Sequence, residues 1–163
     1  MAKLNSSLKN MVMSLAIISF GASAILGGVY ALTKAPIEKA SEAKKTNAIK
    51  EVLPTNANMK IGDPVEISIP SYSEKFIVYP AFENDKLVAV AVETFDNNGY
   101  GGQIKSMVGF DAEGKIVNYA ILSMSETPGL GEKVTSWFKT ERNNQDIRGK
   151  NPAEESFKVS KDG

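Results

Sequence analysis

The chain has 163 residues, with 19 basic and 19 acidic side chains and neither Cys nor His. This excludes disulfides, thiolate chemistry, Ser-His-Asp or Cys-His catalysis, and zinc, haem or iron–sulfur ligation of the usual kinds. The balanced charge gives no reason to expect nucleic acid as a partner, no metal site is expected, and any redox role needs an organic cofactor.

A short tail, residues 1–10, precedes "MVMSLAIISFGASAILGGVYALT", residues 11–33, which carries no charge. Such a run is long enough to cross the roughly 30 Å hydrocarbon core of a bilayer. A cleaved signal peptide is the competing reading, because "ASA" occurs at residues 22–24. The apolar run continues to Leu32, beyond an ordinary signal core, so an uncleaved transmembrane anchor is expected. Ser19, Ser23 and Gly27 repeat at four-residue spacing, with Ala24 and Gly28 as a second small pair. Small residues so spaced let a partner membrane helix approach closely, although they are also common in membrane helices generally. Lys residues are more numerous on the C-terminal side of the span, which by count alone favours that side as cytoplasmic; long domains often disregard this bias.

Residues 34–54, "KAPIEKASEAKKTNAIKEVLP" with Lys34, read as a connecting helix. Pro36 suits an early helical position, and Ile37, Ala40, Ala48, Val52 and Leu53 give an approximate apolar stripe before Pro54 stops it. From Val65 the grammar changes. "VEISI", "KFIVYPAF", "KLVAVAVETF", "QIKSMVGF" and "KIVNYAILSM" are β-rich runs, with "NDK" (84–86) and "DAEG" (111–114) as hairpin connections. The expected fold is α+β: one N-terminal transmembrane helix, then a domain over residues 55–163 with an antiparallel sheet and packed helices.

Two stretches fall outside this pattern. "DNNGYGGQI" (96–104) has backbone freedom at Gly99, Gly101 and Gly102 and an aromatic, Tyr100, that can cover a ring; a simple hairpin loop is the alternative. "SETPGLGEKV" (125–134) leads from Glu126, Thr127, Pro128, Gly129, Leu130 and Gly131 into a short helix. Leu130, Val134, Trp137 and Phe138 have the spacing of a buried helix face. Its N-terminus suits an anion or a carbonyl, unless the glycines serve only to cap it.

The run "GYGGQIKSMVGFDAEGKIVNYAILSMSETPGLGEKV" behind a single anchor resembles the G subunit of the Rnf complex, a family that shares its FMN-binding domain with the C subunit of the sodium-pumping NADH:quinone oxidoreductase. The most specific part is residues 126–131 followed by Glu132-Lys133. The resemblance implies an electron-relay subunit of an ion-translocating oxidoreductase that carries electrons between ferredoxin and NAD and drives Na⁺ or H⁺ movement. It implies no independent catalysis by this chain and no catalytic residue in it. It implies a single-pass protein of the cell inner membrane, its soluble domain extracytoplasmic, among other membrane and peripheral Rnf subunits and in contact with the lipid bilayer. It implies FMN joined through its phosphate to a Thr in a Ser-Gly-Ala-Thr motif. No such motif occurs in residues 1–163, so the attachment residue is expected beyond Gly163, after the turn signal Asp162-Gly163, the alternative being a variant without covalent FMN; Thr127 and Thr135 are not assigned that role. Expected FMN contacts are Glu126 and Thr127 by side chain, Pro128 as the stiffener of the loop, Gly129, Leu130 and Gly131 along the backbone, and Tyr100 as a neighbour. The alternatives are a membrane-anchored binding or scaffold module without a redox role, and a flavin-transfer or sensory protein that borrows the domain.

Overall fold

The computed structural model describes residues 7–157, apart from 56, 57 and 73. The expected Asp162-Gly163 turn and most of the N-terminal tail lie outside the described residues. The chain divides into two compact units, Met1–Ala43 and Lys44–Gly163.

The first unit is the greater part of helix α1, Leu8–Val52. The two helices expected over 11–33 and 34–54 are one continuous element, with Pro36 inside it. Proline removes one backbone donor from a helix interior. Three residues earlier, the Thr33 hydroxyl donates to the Val29 carbonyl at 2.9 Å. Apolar side chains along this stretch are open on every side, Phe20 and Leu32 about four-fifths exposed. By length and composition the helix can cross a membrane.

The second unit is built on an antiparallel sheet in the order β1-β3-β4-β5-β6, with β2 also on β3. Its strands are β1 (Lys60–Ile61), β2 (Val65–Ile67), β3 (Phe76–Glu83), β4 (Lys86–Asp96), β5 (Ile104–Asp111) and β6 (Ile116–Ser123). β1 and β2 lie on different parts of β3, Lys60 opposite Phe82 and Val65 opposite Val78, so together they form one interrupted edge. Asn84 and Asp85 both have positive φ (49° and 61°) in the β3–β4 turn. That is the conformation a two-residue hairpin with the right strand twist requires, and Asn and Asp tolerate it better than other side chains. At the β5–β6 turn the Asp111 carboxylate accepts from the Glu113 and Lys115 amides, both at 2.9 Å.

One sheet face is made of small residues. Ala81, Ala89 and Ala91 lie on β3 and β4, and Gly109 and Ala120 on β5 and β6. The last turns of α1 dock there, burying Ala48, Ile49, Val52 and Leu53 with Met107, which is fully enclosed. A Cβ at Gly109 would collide with the Val52 carbonyl, so the glycine sets how closely helix and sheet approach. Polar contacts frame this seam. Lys45 pairs with Glu93 at 2.8 Å, Lys44 Nζ donates to the Leu122 carbonyl at 2.6 Å, and the Asn118 amide donates to the Glu51 carbonyl at 3.1 Å. The Glu93 hydrogen bond raises the pKa of the Lys45 ammonium above the ordinary lysine range. Of the stripe expected on the connecting helix, Ala48, Val52 and Leu53 are buried, whereas Ile37 and Ala40 are exposed.

After β6 the chain makes a 3₁₀ turn (Gly131–Lys133), the four-residue helix α2 (Val134–Trp137) and a second 3₁₀ turn (Arg142–Asn144). Tyr119 on β6 ties this segment down: its hydroxyl donates to the Val134 carbonyl and accepts from the Phe138 amide at 3.3 Å. Burial pushes the phenol pKa up. Further on, Arg148 forks onto Asp146 at 2.6 Å, holding that carboxyl below its usual range, and donates to the Lys139 carbonyl. The Ile116 amide donates to the Lys150 carbonyl at 2.9 Å, so residues 149–150 lie against the start of β6.

Candidate functional site

The two irregular stretches singled out in the sequence meet in the structure. The β4–β5 loop, residues 97–103, and the loop after β6 emerge at the same end of adjacent strand pairs, where Asp96 stands opposite Ile104 and Lys105 opposite Ser123. The Gly101 amide donates to the Glu126 carboxylate at 3.0 Å. A Cβ at Gly101 would strike the Ser125 carbonyl, and one at Gly99 would strike the Gly102 carbonyl of its own loop and come within 2.9 Å of Glu126 Oε1. Gly101 therefore lets the second loop lie directly against the first. At its base, the Asp96 carboxylate accepts from the Asn98 amide, and the Gln103 side chain donates to Asn97 and Glu74.

The second loop begins with a tight turn. The Leu130 amide donates to the Thr127 carbonyl at 3.1 Å, and Gly129 has φ +76°. Proline followed by a glycine of positive φ, closed by this bond, is the pattern of a type II turn. A Cβ at Gly129 would meet nothing within 4 Å, so here glycine serves conformation and leaves open space beside it. Gly131 does something different. Its φ is not positive, and a Cβ would come within 2.8 Å of Glu126 Oε2. Its missing side chain makes room for Glu126.

The expected helix N-terminus is not available as an anion site. The Gly129 amide donates to the Glu132 carboxylate at 3.2 Å, and the Glu132 and Lys133 amides point to the Thr127 and Leu130 carbonyls. The helix that follows has only four residues, too few for a useful dipole. Nor is its expected apolar face buried: Leu130 is 69% exposed, Trp137 45% and Phe138 41%. One short turn cannot seat a four-residue stripe. The Lys133 ammonium instead lies 5.7 Å from the Trp137 ring centre. Beside it runs an open groove of about 480 Å³ lined by Lys133, Ser136, Trp137, Thr140, Arg142 and Gln145. Reading from sequence missed this groove because it placed Trp137 in the core.

Of the expected contacts, Tyr100 and residues 126–131 are thus neighbours through the Gly101–Glu126 bond. Tyr100 is 96% exposed at the tip of its loop, a large apolar side chain that the fold leaves uncovered, as it leaves Leu130. Thr127 and Pro128 are also exposed. Among the described residues no group of acidic side chains is arranged to hold a metal ion.

Comparison with known proteins bears on what this end of the sheet serves. A model of the FMN-binding domain family matches residues 99–161, beginning at the glycine that faces Glu126. The G subunit of the ion-translocating oxidoreductase complex of Vibrio vulnificus is 31% identical over 168 aligned positions, covering 98% of this chain and 78% of that protein. The G subunit of a Na⁺-translocating ferredoxin:NAD⁺ oxidoreductase complex from Acetobacterium woodii is 31% identical over 157 positions, covering 88% and 72%. A shorter match to the corresponding G subunit of Vibrio parahaemolyticus is 41% identical over 92 residues, covering 52% of this chain and 41% of that protein. With this identity held along nearly its whole length, from the apolar helix through the paired glycine loops, the chain belongs to the G-subunit family of ion-translocating oxidoreductase complexes.

Proposed function

We propose that this chain is the electron-relay subunit of a membrane complex that couples electron transfer between ferredoxin and NAD to Na⁺ or H⁺ translocation. In this reading it holds FMN at the loop pair formed by residues 97–103 and 126–131. The observation that carries the reading is the junction of these loops within the region that matches the FMN-binding family.

The residues present fit such a cofactor. FMN has a planar apolar ring, a polyol and a phosphate. The loop pair offers uncovered Tyr100 and Leu130 for the ring, the exposed Thr127 side chain for polar atoms, and open space beside Gly129. Lys133 and Arg142 stand on the adjoining groove, where a phosphate would find positive charge. When bound, FMN supplies reversible one- and two-electron transfer. The chain's own part is placement: Pro128 and Gly129 fix the turn, Tyr100 and Leu130 shield the ring from water, and the Thr127 hydroxyl orients a polar edge. This chain performs no separate catalysis in the reading.

Two finer elements belong to the same proposal and rest on family resemblance. FMN is held covalently through its phosphate, which prevents its escape, and the domain lies on the extracytoplasmic side of the membrane, anchored by α1 among the other subunits of the complex. The test uses the protein as isolated from its native membrane. A flavin absorbance that survives denaturation, and that bleaches when the intact complex is given NADH, is the expected result. Wild-type protein devoid of flavin would favour the scaffold alternative. Protease added to intact spheroplasts should digest the domain; complete protection until the membrane is opened would reverse the orientation.

A further inference from the structure

We infer that Glu126 is a positioning residue: it latches the Tyr100 loop to the 126–131 loop and does not itself touch the cofactor. The inference deepens the proposed function and rests on it for its redox consequence, but the latch stands on geometry alone.

The half-buried Glu126 side chain meets backbone of both loops. Oε1 accepts the Gly101 amide at 3.0 Å. A Cβ on Gly99 would come within 2.9 Å of Oε1, and one on Gly131 within 2.8 Å of Oε2. Gly131 leaves out a side chain where the Glu126 side chain lies, Gly101 leaves one out where the Ser125 carbonyl lies, and the Gly101 amide, 25 residues away in sequence, reaches the carboxylate. Glycine also costs conformational entropy on folding, and two that are needed on either side of the Ser125–Glu126 segment, Gly101 and Gly131, mark a fitted contact. A carboxylate accepting a backbone amide is a charge-assisted bond, stronger than a neutral one. It bridges the loop that carries Tyr100 and the loop that carries Leu130, the two uncovered side chains proposed to flank the ring. The glycine-rich composition of both stretches thus serves contact between the loops at Gly101 and Gly131, serves the turn of the first loop at Gly99, and leaves Gly129 as the position open to a ligand.

A latch and a cofactor ligand respond differently to the loss of charge. In Glu126→Gln the amide oxygen can still accept from Gly101, so a latch survives; a carboxylate acting on the flavin by its charge does not. Glu126→Ala breaks both. Gly101→Ala keeps the carboxylate but forces the loops apart at the Ser125 carbonyl. The experiment measures Gly101 amide hydrogen exchange and flavin midpoint potential in the wild type and these three variants of the full chain. Exchange at Gly101 should accelerate about tenfold in Glu126→Ala and stay within about threefold of wild type in Glu126→Gln. The midpoint potential should be near wild type in Glu126→Gln and shift in the same direction in Glu126→Ala and Gly101→Ala. Unchanged Gly101 exchange in Glu126→Ala overturns the latch whether or not flavin is bound. Equal potential shifts in Glu126→Gln and Glu126→Ala, with Gly101→Ala like wild type, make Glu126 a cofactor ligand and overturn the positioning role. A wild type without flavin removes the proposed function yet leaves the exchange comparison to decide the latch.

Discussion

The helix–sheet seam and the loop pair both depend on missing side chains, but to opposite ends. At the seam, Ala81, Ala89, Ala91, Gly109 and Ala120 let a helix settle until Val52 and Met107 are sealed from water. At the loops, Gly101 admits the Ser125 backbone and Gly131 the Glu126 side chain, and the larger side chains beside them, Tyr100 and Leu130, stay open. Close approach in the first place removes apolar surface and supplies stability. In the second it fixes a shape while leaving surface to be covered by something else. The seam is therefore expected to govern whether the domain folds, and the loop pair whether it holds its cofactor.

Met107→Ala probes the seam most severely. Met107 is fully buried, so its truncation should cost about 3 kcal/mol in a denaturant titration. The fraction that remains folded should keep its flavin; loss of flavin from folded protein would show that the two regions are not separable. Tyr119→Phe comes next. It removes a hydroxyl that both donates to Val134 and accepts from Phe138, at an expected cost of about 1–2 kcal/mol. Because Tyr119 links the sheet to the segment after the loop, this variant should lower the melting temperature and also loosen the Trp137 groove, seen as altered tryptophan emission. Unchanged emission would place α2 under other control.

Glu93→Gln should have the smallest effect on the fold, below about 1 kcal/mol, because the Lys45–Glu93 pair is partly solvent-screened. Its sign with pH is definite. The Lys45 pKa is raised in the folded state, so the stabilisation is fully present below the ordinary lysine pKa and is lost as pH rises through the raised value. Wild type should therefore lose more stability than Glu93→Gln as pH rises above the ordinary lysine pKa. Parallel alkaline curves would remove this pair from the forces that hold the seam.

Much of the architecture was legible because it is local. Alternating β-branched and aromatic residues mark β3 to β6, and Asn84-Asp85 and residues 111–114 mark their turns by composition. The uncharged run of residues 11–33 marks the apolar part of α1. The two-residue strand β1 is too short to leave a pattern. Pro36 suggested a helix start, yet the helix runs through it, since a proline in a long helix is penalised rather than forbidden. The site was legible as two unusual loops, but the roles of their glycines were not. Gly129 has the positive φ that its Pro-Gly context suggests. Gly101 and Gly131 are explained by Ser125 and Glu126, contacts that depend on tertiary placement and leave no local signature. Trp137 was misjudged for a related reason: helical spacing says which residues share a face, not whether a four-residue helix can bury it.

The central claim is that the loop end of the sheet holds FMN, and a matched pair of glycines tests it most directly. Gly129 and Gly114 have nearly the same positive φ, +76° and +81°, one in the 126–131 loop and one in the β5–β6 turn. Neither has a close obstacle to a Cβ: nothing lies within 4 Å at Gly129, and the nearest atom at Gly114 is 3.6 Å away. Valine at either position imposes a similar strain, about 1–2 kcal/mol. The deciding measurement is the flavin-to-protein ratio of the folded Gly129→Val and Gly114→Val proteins, isolated from their native membrane at matched thermal stability. Depleted flavin in Gly129→Val with full flavin in Gly114→Val is the predicted result. Full flavin in both variants, or equal depletion in both, would contradict it.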